Sequence, residues 1–227
     1  VFWITAAFMA VALVMTLVVT EPESELPTGM GLRQAVIAPF AEYVSRRGWS
    51  GLLLVLGFMF FYKIGDNMAT ALSTPFYLDL GFSKTQIGLV AKHAALWPAI
   101  FGGLVGGLLM IKIGINRALW LFGVVQVVSI LGFAILANSG PVLWMLAAVI
   151  GFEYLGVGMG TAAFTAFIAR ETSKTYAATQ FALFTALAAL PRTFANASTG
   201  IIVEQVGWVS FFLLCALLAI PGMLLLL

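Results

Sequence analysis

The chain has 227 residues, of which 62% are hydrophobic and only 9% are charged, and its mean hydropathy is +1.08. Soluble domains carry about a quarter charged residues, so this composition excludes a soluble globular protein and indicates a membrane protein. The formal net charge of +2 is too small to suggest a nucleic-acid partner. A single cysteine, Cys215, excludes a disulfide within the chain.

Apolar segments follow one another along the whole chain, separated by turn residues and charges. A helix that crosses a bilayer needs about 20 apolar residues, and unpaired backbone amides in lipid are costly, so each segment is predicted to be helical. The alternating pattern of a membrane β-barrel is not found in this sequence. The seven predicted segments are 2–19, 50–74, 87–110, 117–137, 142–169, 179–203 and 208–227.

One long polar stretch, residues 20–48, separates the first segment from the other six. It begins with three glutamates in 21–25, and its second part predicts an amphipathic surface helix that ends at Gly48. This stretch is either a tether between two helical bundles or a regulatory element. Both chain ends fall within apolar runs, so we expect the interior or second half of a longer protein.

The positions of Lys and Arg predict the orientation in the membrane, because cytoplasmic loops carry an excess of these residues. If the 20–48 side is cytoplasmic, seven basic residues face the cytoplasm and only Lys84 faces the other side. The seven are Arg33, Arg46, Arg47, Lys112, Arg117, Arg170 and Lys174.

One helix, a long cytoplasmic loop and six further helices resemble the centre and second half of a major facilitator transporter. The stretch 107–117 is similar to the short cytoplasmic loop signature of that superfamily, although Ile111 stands where the signature has an acidic residue. The resemblance implies an all-α membrane protein, a six-helix half-bundle with one preceding transmembrane helix. Its parts would be 1–20, the last helix of an N-terminal half; 21–48, a cytoplasmic linker; and 49–227, the C-terminal half.

Ionisable residues at membrane depth are the candidate functional residues, because a charge at the centre of a membrane helix costs about 2.5–3.5 kcal/mol. Lys63 and Asp66 lie one turn apart on a single face of segment 50–74. They form either a structural ion pair or part of a site. In the second interpretation Lys63 binds an anionic substrate, and Asp66 carries a coupling proton or positions Lys63.

Arg192 is the strongest candidate for binding a carboxylate or phosphate, because its planar guanidinium suits bidentate contact with such groups. Asn196 follows Arg192 by one turn. Pro191, directly before Arg192, predicts a kink in the helix beside the charge. The alternative is a salt bridge between Arg192 and Glu153 without a role in substrate binding.

Three further residues complete the candidate site. Glu153 lies mid-segment among glycines, and apolar surroundings favour the neutral form of a carboxyl group, which makes it a candidate proton carrier. His93 is the only histidine, and imidazole is a common proton carrier in proteins, so it is a weaker candidate for the same role. Trp97 lies deeper than the other tryptophans and could line a sugar or peptide path.

No motif of a soluble enzyme, an ATP-binding loop or a metal-binding cluster is found in the sequence, which predicts a secondary transporter without cofactor or metal. Other interpretations remain open: a facilitator of another anionic solute, a drug exporter, an enzyme acting on lipid-linked sugars, or a structural subunit.

A closer resemblance is to the AmpG-type muropeptide permeases of Gram-negative bacteria, and it extends over essentially the whole chain. The stretches that carry it are Leu32-Arg33-Gln34-Ala35-Val36-Ile37-Ala38-Pro39, Phe61-Tyr62-Lys63-Ile64-Gly65-Asp66, Gly158-Met159-Gly160-Thr161-Ala162-Ala163-Phe164, Ala177-Ala178-Thr179-Gln180-Phe181-Ala182-Leu183, Val206-Gly207-Trp208 and Ala219-Ile220-Pro221-Gly222.

This resemblance implies a multi-pass protein of the bacterial inner membrane that imports anhydro-muropeptides for peptidoglycan recycling, driven by protons. The cargo pairs N-acetylglucosaminyl-anhydro-N-acetylmuramic acid with a short peptide, and imported products induce β-lactamase in some of these bacteria. The implied partners are the sugar-peptide substrate, protons, the lipid bilayer and an N-terminal half with five more helices.

Overall fold

The computed structural model describes residues 2–19 and 32–226, and all secondary structure in these residues is α-helical. The predicted all-α fold is therefore confirmed, while the acidic first part of the polar stretch lies outside the described residues. The helices are α1 Phe2–Val18, α2 Leu32–Ala71, α3 Ser73–Asp79, α4 Lys84–Ile113, α5 Ile115–Ser139, α6 Leu143–Glu171, α7 Ala177–Ala188 and α8 Leu190–Leu224.

Five helical stretches of the described chain are long and apolar enough to cross a membrane: Ile37–Asp79, Lys84–Ile113, Ile115–Ser139, Leu143–Glu171 and Ala177–Leu224. Helix α1 has 17 residues, at the short end of the range for a membrane crossing. The count is lower than the seven predicted segments partly because two of them, 179–203 and 208–227, fall within the single stretch Ala177–Leu224.

That last stretch is bent at Gly207, whose φ of 74° lies in the left-handed region that glycine adopts without steric cost. Before the bend, Thr199 lines a cavity together with Leu72, the residue between α2 and α3. After the bend, the chain runs back along α2, and Leu225 lies beside Gly57. The chain therefore reverses at Gly207 and crosses the bundle twice, as the sequence pattern predicts.

Helix α2 contains a similar bend at Gly48, with φ of 73°. The bend separates the surface helix, predicted to end at this glycine, from the membrane-crossing part of α2. The kink expected at Pro191 takes another form: α7 ends at Ala188 and α8 begins at Leu190, so the proline lies in the first turn of a new helix. A proline is tolerated there because the amide that it lacks has no intrahelical acceptor.

The loops gather at two opposite ends of the bundle. At one end Arg170 donates a hydrogen bond of 2.8 Å to Asn116, and at the other Trp208 donates one of 3.2 Å to Asp79. Among the described residues the first end carries six basic side chains and the second carries Lys84, so the positive-inside rule predicts that the first end is cytoplasmic. The six are Arg46, Arg47, Lys112, Arg117, Arg170 and Lys174.

Helices α4 and α6 approach each other closely at their glycines. A Cβ atom on Gly158 would clash with the Ala99 carbonyl, and one on Gly106 would lie 2.7 Å from the Cα of Met159. Backbones can come this near only where side chains are missing, which is how glycines promote helix packing in membranes.

At the cytoplasmic end, a polar network holds the surface helix of α2 to the loop after α6. The buried Glu171 carboxylate accepts a 3.0 Å hydrogen bond from Tyr43 and lies 3.5 Å from both Arg47 and Arg170. Gln180, also buried, donates to the Pro39 carbonyl at 2.8 Å. We call this set of contacts the cytoplasmic network.

Candidate functional site

A cavity of about 510 Å³, which we call the main cavity, opens between α2, α6, α7 and the start of α8. Its wall is mixed, with charged, hydroxyl-bearing and apolar side chains. This combination is typical of a site for a polar solute, because polar groups fix orientation while apolar groups provide contact area. The charged and polar lining residues are Lys63, Asp66, Asn67, Thr70, Tyr154, Thr161, Thr165, Thr185 and Arg192.

Helix α2 contributes one continuous face to this wall, because Lys63, Asp66, Asn67 and Thr70 recur at helical spacing. The Lys63 ammonium lies 3.6 Å from the Asp66 carboxylate, and both side chains are largely buried, at 13% and 9% exposure. The sequence left this pairing open, and the structure shows that it forms.

Aromatic residues also border the lysine. Its ammonium lies 5.6 Å from the centre of the Phe164 ring, a distance at which a cation is attracted to the ring face. Lys63 is therefore held between a carboxylate and an aromatic face, and it remains on the cavity wall.

Glu153 lies behind this wall rather than in it. It is completely buried, and it forms a hydrogen bond with the Ser129 hydroxyl of α5. Its carboxyl group is also close enough to the Asp66 carboxyl group for the two to interact electrostatically. The two acids therefore lie side by side, with Asp66 between Glu153 and the cavity.

Arg192 reaches the cavity from the break between α7 and α8, and it is exposed. It also lines a second cavity of about 220 Å³, together with Asn67, Thr70 and Thr199. In the described part of the chain it forms no salt bridge, so the alternative pairing with Glu153 is not observed. Its guanidinium thus faces two adjoining cavities.

Two of the remaining residues predicted from the sequence are not among those that line the main cavity. Trp97 and His93 are exposed on α4 and do not line the 510 Å³ cavity. Asn196 follows Arg192 by one turn, but its side chain is outside the described part of the structure. Over residues 2–19 and 32–226, no three His, Cys, Asp or Glu side chains come together as a metal site would require.

Several residues of the site were not predicted from the sequence. Asn67 could have been found, since it lies four positions after Lys63 on the same face. Ser129 gave no such signal, because its contact with Glu153 joins two separate helices. A small hydroxyl residue in an apolar segment is common and does not by itself indicate a partner.

Comparison with known proteins agrees with this architecture. Residues 64–227 match the family model of the Major Facilitator Superfamily. The chain is 37% identical to the anhydromuropeptide permease of Escherichia coli strain K12 over 228 residues, which is 100% of this chain and 46% of that protein.

Two other relatives extend the comparison. A protein of Haemophilus influenzae, described only as uncharacterized, is 48% identical over 99% of this chain and 55% of its own length. The putative transporter AmpG 4 of Rickettsia felis is 31% identical over the same shares of the two chains. The chain thus spans about half the length of the curated relatives it matches.

The helical fold, the membrane spans and the family match support the same conclusion. They indicate a multi-pass protein of the bacterial inner membrane that belongs to a group of transporters rather than enzymes. The chain belongs to the Major Facilitator Superfamily and is similar, over its whole length, to AmpG-type permeases.

Proposed function

We propose that the full-length transporter imports anhydro-muropeptides across the inner membrane and that the proton gradient drives this import. The observation that carries the proposal is the main cavity, whose wall contains Lys63, Arg192 and Asp66, with the buried Glu153 behind Asp66. Similarity to an anhydromuropeptide permease supports the choice of cargo. The cargo would be N-acetylglucosaminyl-anhydro-N-acetylmuramyl peptides, used in peptidoglycan recycling.

Anion recognition is assigned to Lys63 and Arg192, because the peptide part of such a cargo carries carboxylates. Arg192 is exposed and forms no ion pair with any described residue, so its donors are available to a ligand. Its planar guanidinium can hold a carboxylate through two parallel hydrogen bonds. Asn196 is proposed as a further binding residue because it follows one turn later on the same helix.

Hydroxyl groups on the opposite wall suit the sugar part of the cargo. Tyr154, Thr161 and Thr165 project from α6 into the same cavity as the two cations. Neutral hydroxyls both donate and accept hydrogen bonds, which matches the hydroxyl and acetamido groups of an amino sugar. Trp97 and His93 play no part in the proposal, because they do not line the cavity.

Proton coupling is assigned to Asp66 and Glu153. Two neighbouring carboxyl groups buried from water do not both ionise readily, so they retain a proton under conditions where exposed acids lose theirs. Asp66 faces the cavity and Lys63, so its charge can respond to an anion that binds there.

We further propose that this chain supplies one side of the transport path: residues 49–227 as a C-terminal six-helix half, 21–48 as a cytoplasmic linker and 1–20 as the last helix of an N-terminal half. Helix α4 exposes large apolar residues on its outer face, among them Leu104, Leu108 and Ile111. Lipid or a second half-bundle can cover such a face. The other half of the cavity wall would come from the part of the protein that precedes residue 1.

The test is uptake of radiolabelled N-acetylglucosaminyl-anhydro-N-acetylmuramyl peptide by vesicles that contain the full-length transporter. Uptake is expected to require an inward proton gradient and to be competed by unlabelled cargo. Uptake that is insensitive to the gradient would contradict proton coupling. Competition by unrelated organic anions but not by muropeptide would indicate a facilitator of another solute, and outward transport of lipophilic cations would indicate a drug exporter.

A further inference from the structure

The two buried acids share an unusual pattern of contacts. Each has one oxygen with a partner: Asp66 Oδ2 lies 3.6 Å from Lys63 Nζ, and Glu153 Oε2 bonds with Ser129. Each also has one buried oxygen, Asp66 Oδ1 and Glu153 Oε1, without a hydrogen-bond partner among the described residues. Unsatisfied buried oxygens are rare in proteins and need an explanation.

A single proton between the two acids explains both oxygens. The two carboxyl groups are close enough to interact electrostatically, and a carboxylic acid can donate to a carboxylate while two carboxylates only repel. We infer that Asp66 and Glu153 hold one proton in common.

The Ser129 hydroxyl has two alternative hydrogen-bond acceptors, and the one it uses affects the position of this proton. Its hydroxyl lies within hydrogen-bonding distance of the Gln126 carbonyl, at 2.8 Å, and of Glu153 Oε2. A hydroxyl has one hydrogen, so it can donate to only one of these acceptors at a time. If the hydroxyl donates to the Gln126 carbonyl, the Ser129 oxygen can accept a hydrogen bond from a neutral Glu153. If the hydroxyl donates to Glu153 instead, it stabilises the carboxylate form of Glu153.

We propose that Ser129 is a positioning residue that sets which of the two acids holds the shared proton, an inference that rests on the proposed proton-driven transport. With the proton on Glu153, the negative charge is on Asp66 beside Lys63, and Ser129 turns to the Gln126 carbonyl. When the proton passes to Asp66, one O–H bond breaks at Glu153 and one forms at Asp66. The negative charge moves to Glu153, and Ser129 turns to donate to it.

The acid pair links substrate binding to proton transfer because only Asp66 lies on the cavity wall, while Glu153 is fully buried. A bound anion that attracts Lys63 removes the cation beside Asp66. The charge is then better placed on Glu153, where Ser129 stabilises it, and the proton is delivered to Asp66. From there it can leave to the cavity.

Other groups near Glu153 do not replace these partners. Tyr77 of α3 lies close enough to interact electrostatically with Glu153, but its phenol is buried and neutral at physiological pH. Helix α5 contributes Ser129 and Gln126, and α2 contributes Asp66 and Lys63. Helix α4 packs on another face of α6, where Gly158 meets the Ala99 carbonyl.

The experiment compares two assays on the full-length transporter in vesicles, with the radiolabelled muropeptide as probe. Net uptake driven by a pH gradient requires the proton to leave the acid pair. Exchange of labelled for unlabelled cargo at equal pH does not. The variants are Ser129→Ala, Ser129→Thr, which restores a hydroxyl, and Ser139→Ala as a matched control. Ser139 lies on the same helix and donates only to the Ile135 carbonyl.

For Ser129→Ala, net uptake is expected to fall about tenfold to a hundredfold, as for loss of a hydrogen bond to a charged group, while exchange falls much less. Ser129→Thr is expected to restore most of the net uptake, and Ser139→Ala should resemble the wild type in both assays. If the alanine variant folds poorly, Ser129→Cys, similar in size but a weak donor, should show the same split between the assays.

Two results would overturn the inference alone: gradient-driven uptake in the wild type that Ser129→Ala leaves intact, or an equal loss of uptake and exchange that threonine does not rescue. Wild-type uptake that ignores the gradient would instead overturn the proposed function, and this inference with it.

Discussion

The molecule buries two glutamates in very different settings. Glu171, in the cytoplasmic network, is only 3% exposed and is surrounded by Tyr43, Arg47 and Arg170. Glu153, in the middle of the bundle, is 0% exposed, and one of its oxygens lacks a partner among the described residues. The chemical group is the same, but only one of the two acids is compensated.

This difference separates a structural charge from a functional one. A buried carboxylate with several donors is stabilised in its ionised form and has no reason to exchange a proton. A buried acid that lies beside a second acid is poised to share one. Burial alone therefore does not identify a transport residue, whereas incomplete pairing beside a cavity does.

The largest effect is expected for Glu153→Gln. Glutamine keeps the size of the side chain and the hydrogen bond to Ser129 but cannot release a proton. Gradient-driven uptake of muropeptide by the full-length transporter should fall more than a hundredfold, while melting temperature and membrane insertion stay near the wild-type values. Uptake within a fewfold of the wild type would remove Glu153 from the coupling site.

Arg192→Ala tests the cation on the other side of the cavity. Loss of hydrogen bonds from a guanidinium to a carboxylate costs about 1.5–3 kcal/mol, so KM for the muropeptide should rise roughly tenfold to a hundredfold. Arg192→Lys should recover only part of the affinity, because an ammonium cannot form the bidentate contact.

The matched control for this substitution is Arg117→Ala, since Arg117 is also exposed but lies at the cytoplasmic end, outside the cavity. An unchanged KM for Arg192→Ala, or an equal rise for both variants, would show that Arg192 does not bind the cargo.

Glu171→Gln should act on stability rather than on transport chemistry. It leaves Arg47 and Arg170 facing an amide, but these arginines are 51% and 39% exposed, so solvent replaces part of the lost interaction. We expect a loss of about 1–2 kcal/mol in the free energy of unfolding. Thermal unfolding of the purified transporter measures it, with exposed Glu204 changed to Gln as the control.

Per folded molecule, the pH dependence of uptake by Glu171→Gln should match that of the wild type. A changed pH dependence would place Glu171 in the coupling chemistry and would erase the contrast between the two glutamates.

Gln180→Ala is expected to have the smallest effect. The side chain is satisfied on both sides, donating to Glu42 at 2.6 Å and accepting from the Ser173 amide at 2.7 Å. Its removal should increase amide hydrogen exchange in residues 37–47 and 172–176, with a loss of about 1 kcal/mol in stability. Its exposed neighbour Thr179, changed to Ala, should leave exchange there unaltered. Unchanged protection in Gln180→Ala would show that other contacts hold the surface helix.

Much of the architecture follows from local pattern. Apolar runs predict the helices, and the end of the surface helix was predicted at Gly48, where α2 bends. The shared face of Lys63 and Asp66 also follows from their spacing of three. These features depend on residues near each other in the chain, which is why sequence alone carries them.

Contacts between distant residues could not be predicted in the same way. Ser129 and Glu153 are 24 positions apart, and Tyr43 and Glu171 are 128 apart. Glu171 and Gln180 lie near segment ends, where a polar residue is expected to face water, so nothing in the pattern indicates their burial. Trp97 and His93 do not line the main cavity, and their position could not be predicted because depth along a helix does not determine which face a residue occupies.

The most direct test of the contrast is proton entry on addition of cargo, measured with a pH-sensitive dye trapped in vesicles that contain the full-length transporter. Acidification of the lumen is expected for the wild type and, per folded molecule, for Glu171→Gln, and none is expected for Glu153→Gln. Acidification by Glu153→Gln equal to that of the wild type would contradict the assignment of the buried acid pair as the proton site.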